Sequence, residues 1–105
     1  MNLIYVKALR HGRSLELSLT GELDQRVARR LLVQLERYIE KGVRVIRVDL
    51  RGVSFLNGAG VKALLCCMRS LRALGGRMLL TRPSQPVRRV FCALGLESFL
   101  VEAAA

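Results

Sequence analysis

Tryptophan is absent, proline occurs twice and histidine once, and acidic side chains number 8 against 18 lysines and arginines. Each shortage removes a class of function. A lone histidine, His11, in an expected turn leaves no Cys/His set spaced for zinc and no partner for a nucleophile, so neither a metal nor a cofactor is expected. Few carboxylates, placed on helix surfaces and caps, give no converging acid pair for general acid–base work, and no enzymatic activity is expected. Three cysteines, two of them adjacent at Cys66 and Cys67, cannot form a disulfide framework and are read as reduced thiols. No apolar run reaches the ~20 residues that span a bilayer, and MNLIYVKALRHG lacks a signal-peptide core, so a cytoplasmic protein is expected.

What is present is a hydrophobic fraction of 51% and a formal net charge of +10 in 105 residues. The first gives one domain, residues 1–105, with a real core. The second favours acidic partners or anionic surfaces. The basic residues are spread along the chain and only Tyr5, Tyr38, Phe55, Phe91 and Phe99 are aromatic. That pattern argues against nucleic-acid binding and for solvated faces.

The patterning is α/β. Leu3 to Ala8 reads as a strand, then a turn at His11–Arg13. SLELSLT alternates, with Leu15, Leu17 and Leu19 on one side, and predicts a strand buried on one face, hairpinned to the first. Asp24 is placed to cap a helix whose Val27, Leu31, Leu35 and Ile39 recur every fourth position, opposite Arg26, Arg29, Arg30 and Arg37, and Gly42 ends it. Val43 to Leu50 is a β-branched strand expected to pair in parallel through a right-handed crossover. A second helix follows, with Val61, Leu64, Leu65, Met68 and Leu71 inward. Cys66 lies about 160° from the middle of that arc at 100° per residue, and Cys67 nearer its edge. Gly75-Gly76 separates it from a strand at Arg77–Thr81, a helix at Gln85–Leu94 and a short strand at Ser98–Val101.

The stretch DLRGVSFLNGAG, Asp49 to Gly60, forms the corner into the second helix. Helix starts carry unpaired N–H groups, which makes such a corner a docking or anion-binding point. N-G-A-G has neither the lysine of a P-loop nor a dinucleotide fingerprint, so Gly58 and Gly60 are assigned to a turn and close helix packing. Asn57 is assigned to capping, Ser54 to a turn before Phe55, and Glu22 with Asp24 to a turn and a cap worth about 1 kcal/mol.

TGELD at Thr20–Asp24, VDLRGVSFLNGAGVKALL at Val48–Leu65, GGRMLL at Gly75–Leu80 and VRRVFCALGL at Val87–Leu96 together resemble the STAS domain family, especially bacterial anti-sigma factor antagonists. The resemblance implies a mixed four- to five-stranded sheet with helices mainly on one face. It implies a protein–protein interaction module that binds an anti-sigma factor or kinase-like regulatory protein and so regulates sigma-dependent transcription. The corner, Asn57, Gly58, Ala59 and Gly60 with Val61 and Lys62, together with Glu22 and Asp24, would be the partner-binding face. In that family the kinase phosphorylates a serine or threonine in a D-S-[ST]-G corner. Here Asn57 stands at the aspartate, Gly58 at the first serine and Ala59 at the acceptor, so the phosphorylation switch does not carry over. The alternative is a scaffold or accessory subunit of a stress-sensing complex of STAS proteins, or of a lipid or anion transporter.

Overall fold

The computed structural model describes residues 5–101, so Leu3 and Ile4 of the first expected strand and the closing EAAA lie outside the described residues. The order of elements is β1 (Tyr5–His11), β2 (Ser14–Leu23), α1 (Gln25–Glu40), β3 (Val45–Leu56), α2 (Gly58–Ala73), β4 (Arg77–Thr81), α3 (Gln85–Ala93), a 3-10 turn at Glu97–Phe99 and β5 (Leu100–Val101). They form one five-stranded sheet in the order β1-β2-β3-β4-β5. The hairpin β1–β2 is antiparallel and every other pairing is parallel.

Because the parallel strands are added one after another in the same direction, right-handed crossovers place their connecting helices on a single face. Burial follows. Leu15, Leu17 and Leu19 of β2, Ile46, Val48 and Leu50 of β3 and Leu80 of β4 are covered almost completely, against Leu31 and Leu35 of α1, Leu64 and Leu71 of α2 and Val87 and Phe91 of α3. The other face carries exposed Lys7, Glu16, Arg47 and Arg77. One-sided covering is what the alternation in SLELSLT predicted.

Helix termini follow their local chemistry. Lys41 and Leu74 cap α1 and α2, and Gly42 and Gly75 just beyond them have positive φ, as does Gly95 after α3, a backbone region open to glycine at no steric cost. Arginines from outside α1 satisfy carbonyls at its C-terminal end. Arg44 donates to Ile39 O and Val43 O at 2.8 Å, Arg10 to Lys41 O at 2.9 Å and Arg13 to Gly42 O at 3.3 Å.

Three strands run further than the pattern suggested. The first continues past Ala8 to His11, which pairs with Ser14 as its last residue instead of lying in the turn. The second strand includes Gly21, Glu22 and Leu23, and the third starts at Val45 and continues to Leu56 instead of closing at Leu50. Its apolar alternation breaks after Leu50 because the β2–β3 ladder slips twice: Ser18 pairs with Asp49 but Thr20 with Gly52, and Gly21 with Val53 but Glu22 with Phe55. Each slip inserts a residue on β3 and flips the side-chain sense, so burial passes from Leu50 to Val53 to Leu56. Gly52 is required there, because a Cβ would stand 2.7 Å from Thr20 Oγ1 and 2.9 Å from Leu19 O. Ser54 thus lies exposed within a strand, not in a turn.

Candidate functional site

The two slips bring Leu23 and Leu56 opposite one another at the ends of adjacent parallel strands. The next residue of each chain segment, Asp24 and Asn57, begins a helix. Two helices of 16 residues therefore start side by side at the same edge of the sheet.

Both starts use the same device. Asp24 is extended, with φ −91° and ψ −174°, and its Oδ1 accepts from Val27 N at 3.0 Å. Asn57, with φ −111° and ψ −179°, accepts from Gly60 N through Oδ1 at 3.1 Å. One N–H of each first turn is thereby satisfied, and those of Gln25 and Arg26, and of Gly58 and Ala59, keep the free donors of a helix start.

The glycines of the corner separate into two kinds. A Cβ on buried Gly60 would lie 2.6 Å from Leu56 Cδ1 and 2.7 Å from Leu23 O, so the missing side chain is what lets α2 close onto the end of β2. Gly58 is exposed, has nothing within 4 Å of a Cβ and needs no special backbone conformation. Close packing is therefore Gly60's part alone.

The structure brings Glu22, Asp24, Asn57, Gly58, Ala59 and Lys62 to one edge. Glu22, Asp24, Asn57 and Ala59 are half-buried there, and Gly58 and Lys62 exposed. Val61 is covered like Gly60, and both shape the corner from below instead of facing outward. His11 sits at the far end of β1, paired with Ser14, away from this edge. Among the described residues no group of three or more His, Cys, Asp or Glu is placed to hold a metal.

Sequence reasoning passed over two parts of the corner. Phe55, paired with Glu22, is 44% exposed beside it. Its signal was an aromatic one residue before a buried Leu, legible only once the strand slips are known. The second part is an open groove of about 700 Å³ lined by Asp24, Gln25, Arg26, Arg29, Arg30 and Asn57. Its arginines were visible as the polar face of a helix, but nothing in the spacing joined them to Asn57.

Further along α2, Cys66 is exposed as expected, whereas Cys67 is buried, deeper than the edge position given by helical projection. Burial, then the Glu36 carboxylate and then Cys66, push the Cys67 thiol up to about 12. It is a core side chain, held as the neutral thiol at neutral pH. No helix among the described residues is long and apolar enough to cross a membrane.

Comparison with known proteins gives the family and the fold. The STAS domain model matches residues 5–104. An anti-sigma F factor antagonist of Lysinibacillus sphaericus is 36% identical over 86 residues, covering 81% of this chain and 74% of that protein. The structure of the anti-sigma factor antagonist SpoIIAA in its unphosphorylated form superposes with a TM-score of 0.84 at 28% identity, over 97% of this chain and 89% of that one. The phosphorylated form of SpoIIAA, a Bacillus cell fate determinant, gives 0.76 at 26% identity over 97% and 92%.

Proposed function

The chain belongs to the STAS domain family and is anti-sigma factor antagonist-like within it, and on that premise we propose that it is a non-catalytic docking module. Its partner is an anti-sigma factor, of the kinase-like kind or otherwise, and its contact surface is the paired helix start at Asp24 and Asn57. The observation that carries this reading is the side-by-side placement of two capped helix starts on one open edge, with Glu22, Phe55, Gly58 and Lys62 around them. Such an edge offers free N–H donors, an aromatic surface and charges of both signs without a reactive group, which suits recognition of another protein.

Ala59, at the second position of α2, determines how the module is controlled. A phosphate there would add roughly −1.5 to −2 charges to the docking edge and oppose a complementary surface by repulsion and desolvation. A methyl group accepts none, so the module stays competent to bind. The test compares wild type with Ala59→Ser and Ala59→Glu in pull-downs against the anti-sigma factors of the source organism. A matched kinase reaction with ATP is read by mass spectrometry of residues 54–62. The expected result is an unmodified wild-type peptide, a phosphorylated Ala59→Ser peptide and loss of the partner with Ala59→Glu. A glutamate that leaves every partner bound would remove the corner from the interface.

A further inference from the structure

The groove beside the corner carries more charge than the fold needs. Arg26, Arg29 and Arg30 project from the first two turns of α1, all exposed. Among the described residues, none of their guanidinium groups has a hydrogen bond or an ion pair. At the opposite end of α1, Arg10, Arg13 and Arg44 all donate to backbone carbonyls, and only the guanidinium of Arg37 in the last turn is left without a partner among the described residues.

Position makes the contrast sharper. The start of a helix is the positive end of its dipole, where cations are unfavourable and anions favourable. Neither α1 nor α2 has an acidic residue in its first turn, and the two starts are neighbours. Three guanidinium groups therefore stand where two helix dipoles already raise the potential. Their only carboxylate neighbour lining the groove, Asp24, has one oxygen committed to Val27 N. A cluster that opposes local helix stability and is unused inside the chain is the kind of local conflict that marks a functional surface.

From this we infer that the Arg26–Arg29–Arg30 groove takes an acidic segment of the partner protein, bearing two or more Asp or Glu carboxylates opposite the first two turns of α1. The inference rests on the docking reading above and specifies the chemistry of that partner. Arginines three and four positions apart are neighbours on one helix face, with Cβ atoms about 5–6 Å apart, so a pair of carboxylates on a helix or loop can engage both. A nucleic acid fits less well. The basic stripe, Arg26 to Arg30, covers little more than one helical turn, about 6–7 Å. Asp24 stands in the lining of the groove, where it would repel a continuing phosphate chain but would suit a cation of a charge-mixed protein surface.

The experiment uses the anti-sigma factor retained by wild type in the pull-down and measures its association and dissociation across a salt series. The variants are Arg26→Glu/Arg29→Glu/Arg30→Glu, a charge-matched control Lys7→Glu/Arg47→Glu/Arg77→Glu on the open sheet face, and Ala59→Glu. Thermal melts of each variant accompany the binding, because glutamates in the first turns of α1 complement the dipole and should leave Tm equal or higher. The expected result is association slower by about tenfold or more for the triple variant, a flatter salt dependence, and near wild-type behaviour for the control. Wild-type affinity of the triple variant while Ala59→Glu fails to bind would overturn the acidic-segment inference and leave the docking function standing. Equal loss in the control would reduce the effect to net charge and also overturn it. Normal binding by both the triple variant and Ala59→Glu would overturn the inference and the docking reading together. A fluorescent 20-base-pair duplex that binds wild type but not the triple variant, at a salt concentration where the anti-sigma factor is indifferent to the same substitutions, would reassign the groove to nucleic acid.

Discussion

The two ends of α1 carry arginines in opposite circumstances. At the C-terminal end, Arg10, Arg13 and Arg44 arrive from β1, the hairpin turn and the segment before β3, and donate to carbonyls of Lys41, Gly42 and Ile39 in and just after the last turn. Their charge agrees with the dipole and their hydrogen bonds are made inside the chain. At the N-terminal end, Arg26, Arg29 and Arg30 come from the helix itself, disagree with the dipole and have no partner among the described residues. Arginines reaching the C-terminal end from other segments are thus structural, whereas those of the helix itself, Arg37 of its last turn included, are available. A net charge of +10 says nothing of this division; the division comes from which backbone groups each side chain can reach.

The largest effect should come from the neighbour that holds the N-terminal end in place. Gly60→Ala forces a Cβ against Leu23 O and Leu56 Cδ1 and should cost about 1–3 kcal/mol, whereas Gly58→Ala, with open space around it, should be neutral or slightly stabilising. Urea unfolding of the pair checks this. Equal midpoints would mean that α2 does not need its close approach to β2.

Next in size is a direct comparison of the ends. Arg44→Ala removes the two hydrogen bonds that Nη1 donates to Ile39 O and Val43 O and should cost about 1–2 kcal/mol. Asp24→Ala removes the single N-terminal cap bond and should cost about 1 kcal/mol. Neither loss should exceed the Gly60 effect.

Smaller still, and of opposite sign, is Arg26→Glu. Replacing an unpartnered cation by an anion in the first turn should stabilise the fold by about 0.3–1 kcal/mol at low salt, with the gain fading at high salt. A destabilised variant would show that Arg26 has a structural partner after all, and the contrast between the ends would fail.

An effect confined to alkaline pH, and absent under the conditions of the other tests, lies midway along the helix, where burial and then Glu36 of α1 act on Cys67 of α2. The folded thiol is raised from its ordinary 9.0 to about 12. The folded state then holds its proton more tightly than the unfolded chain, so this contribution is complete below about pH 9 and is lost as pH rises towards 12. Cys67→Ala should flatten that alkaline loss. In native protein a thiol reagent near neutral pH should label exposed Cys66 well ahead of Cys67. Equal labelling would place Cys67 outside the core.

Much of the architecture was legible because its causes are local. Leu15, Leu17 and Leu19 must share one side of a strand, and Val27, Leu31, Leu35 and Ile39 one side of a helix, whatever surrounds them. Asp24 and Asn57 cap because their short side chains reach an amide three residues on. Arg77–Thr81 was bounded correctly by Gly75-Gly76 and Pro83. The third strand was cut short at Leu50 because an inserted residue destroys the period of two without leaving any local mark except Gly52.

The candidate site divides along the same line. By itself the sequence determined the order of elements, the capped helix starts, the family and the methyl group at Ala59, since each is a matter of residue identity and near-neighbour geometry. Only the tertiary structure decided that Leu23 meets Leu56 across the ladder, and so that Asp24 and Asn57 start their helices together. From that meeting follow the need for Gly60 but not Gly58, the exposed Phe55 beside Glu22, and the groove in which three arginines face outward. Those features depend on strand register, which is set by packing between segments some thirty residues apart, and no window of the sequence contains both sides of that contact.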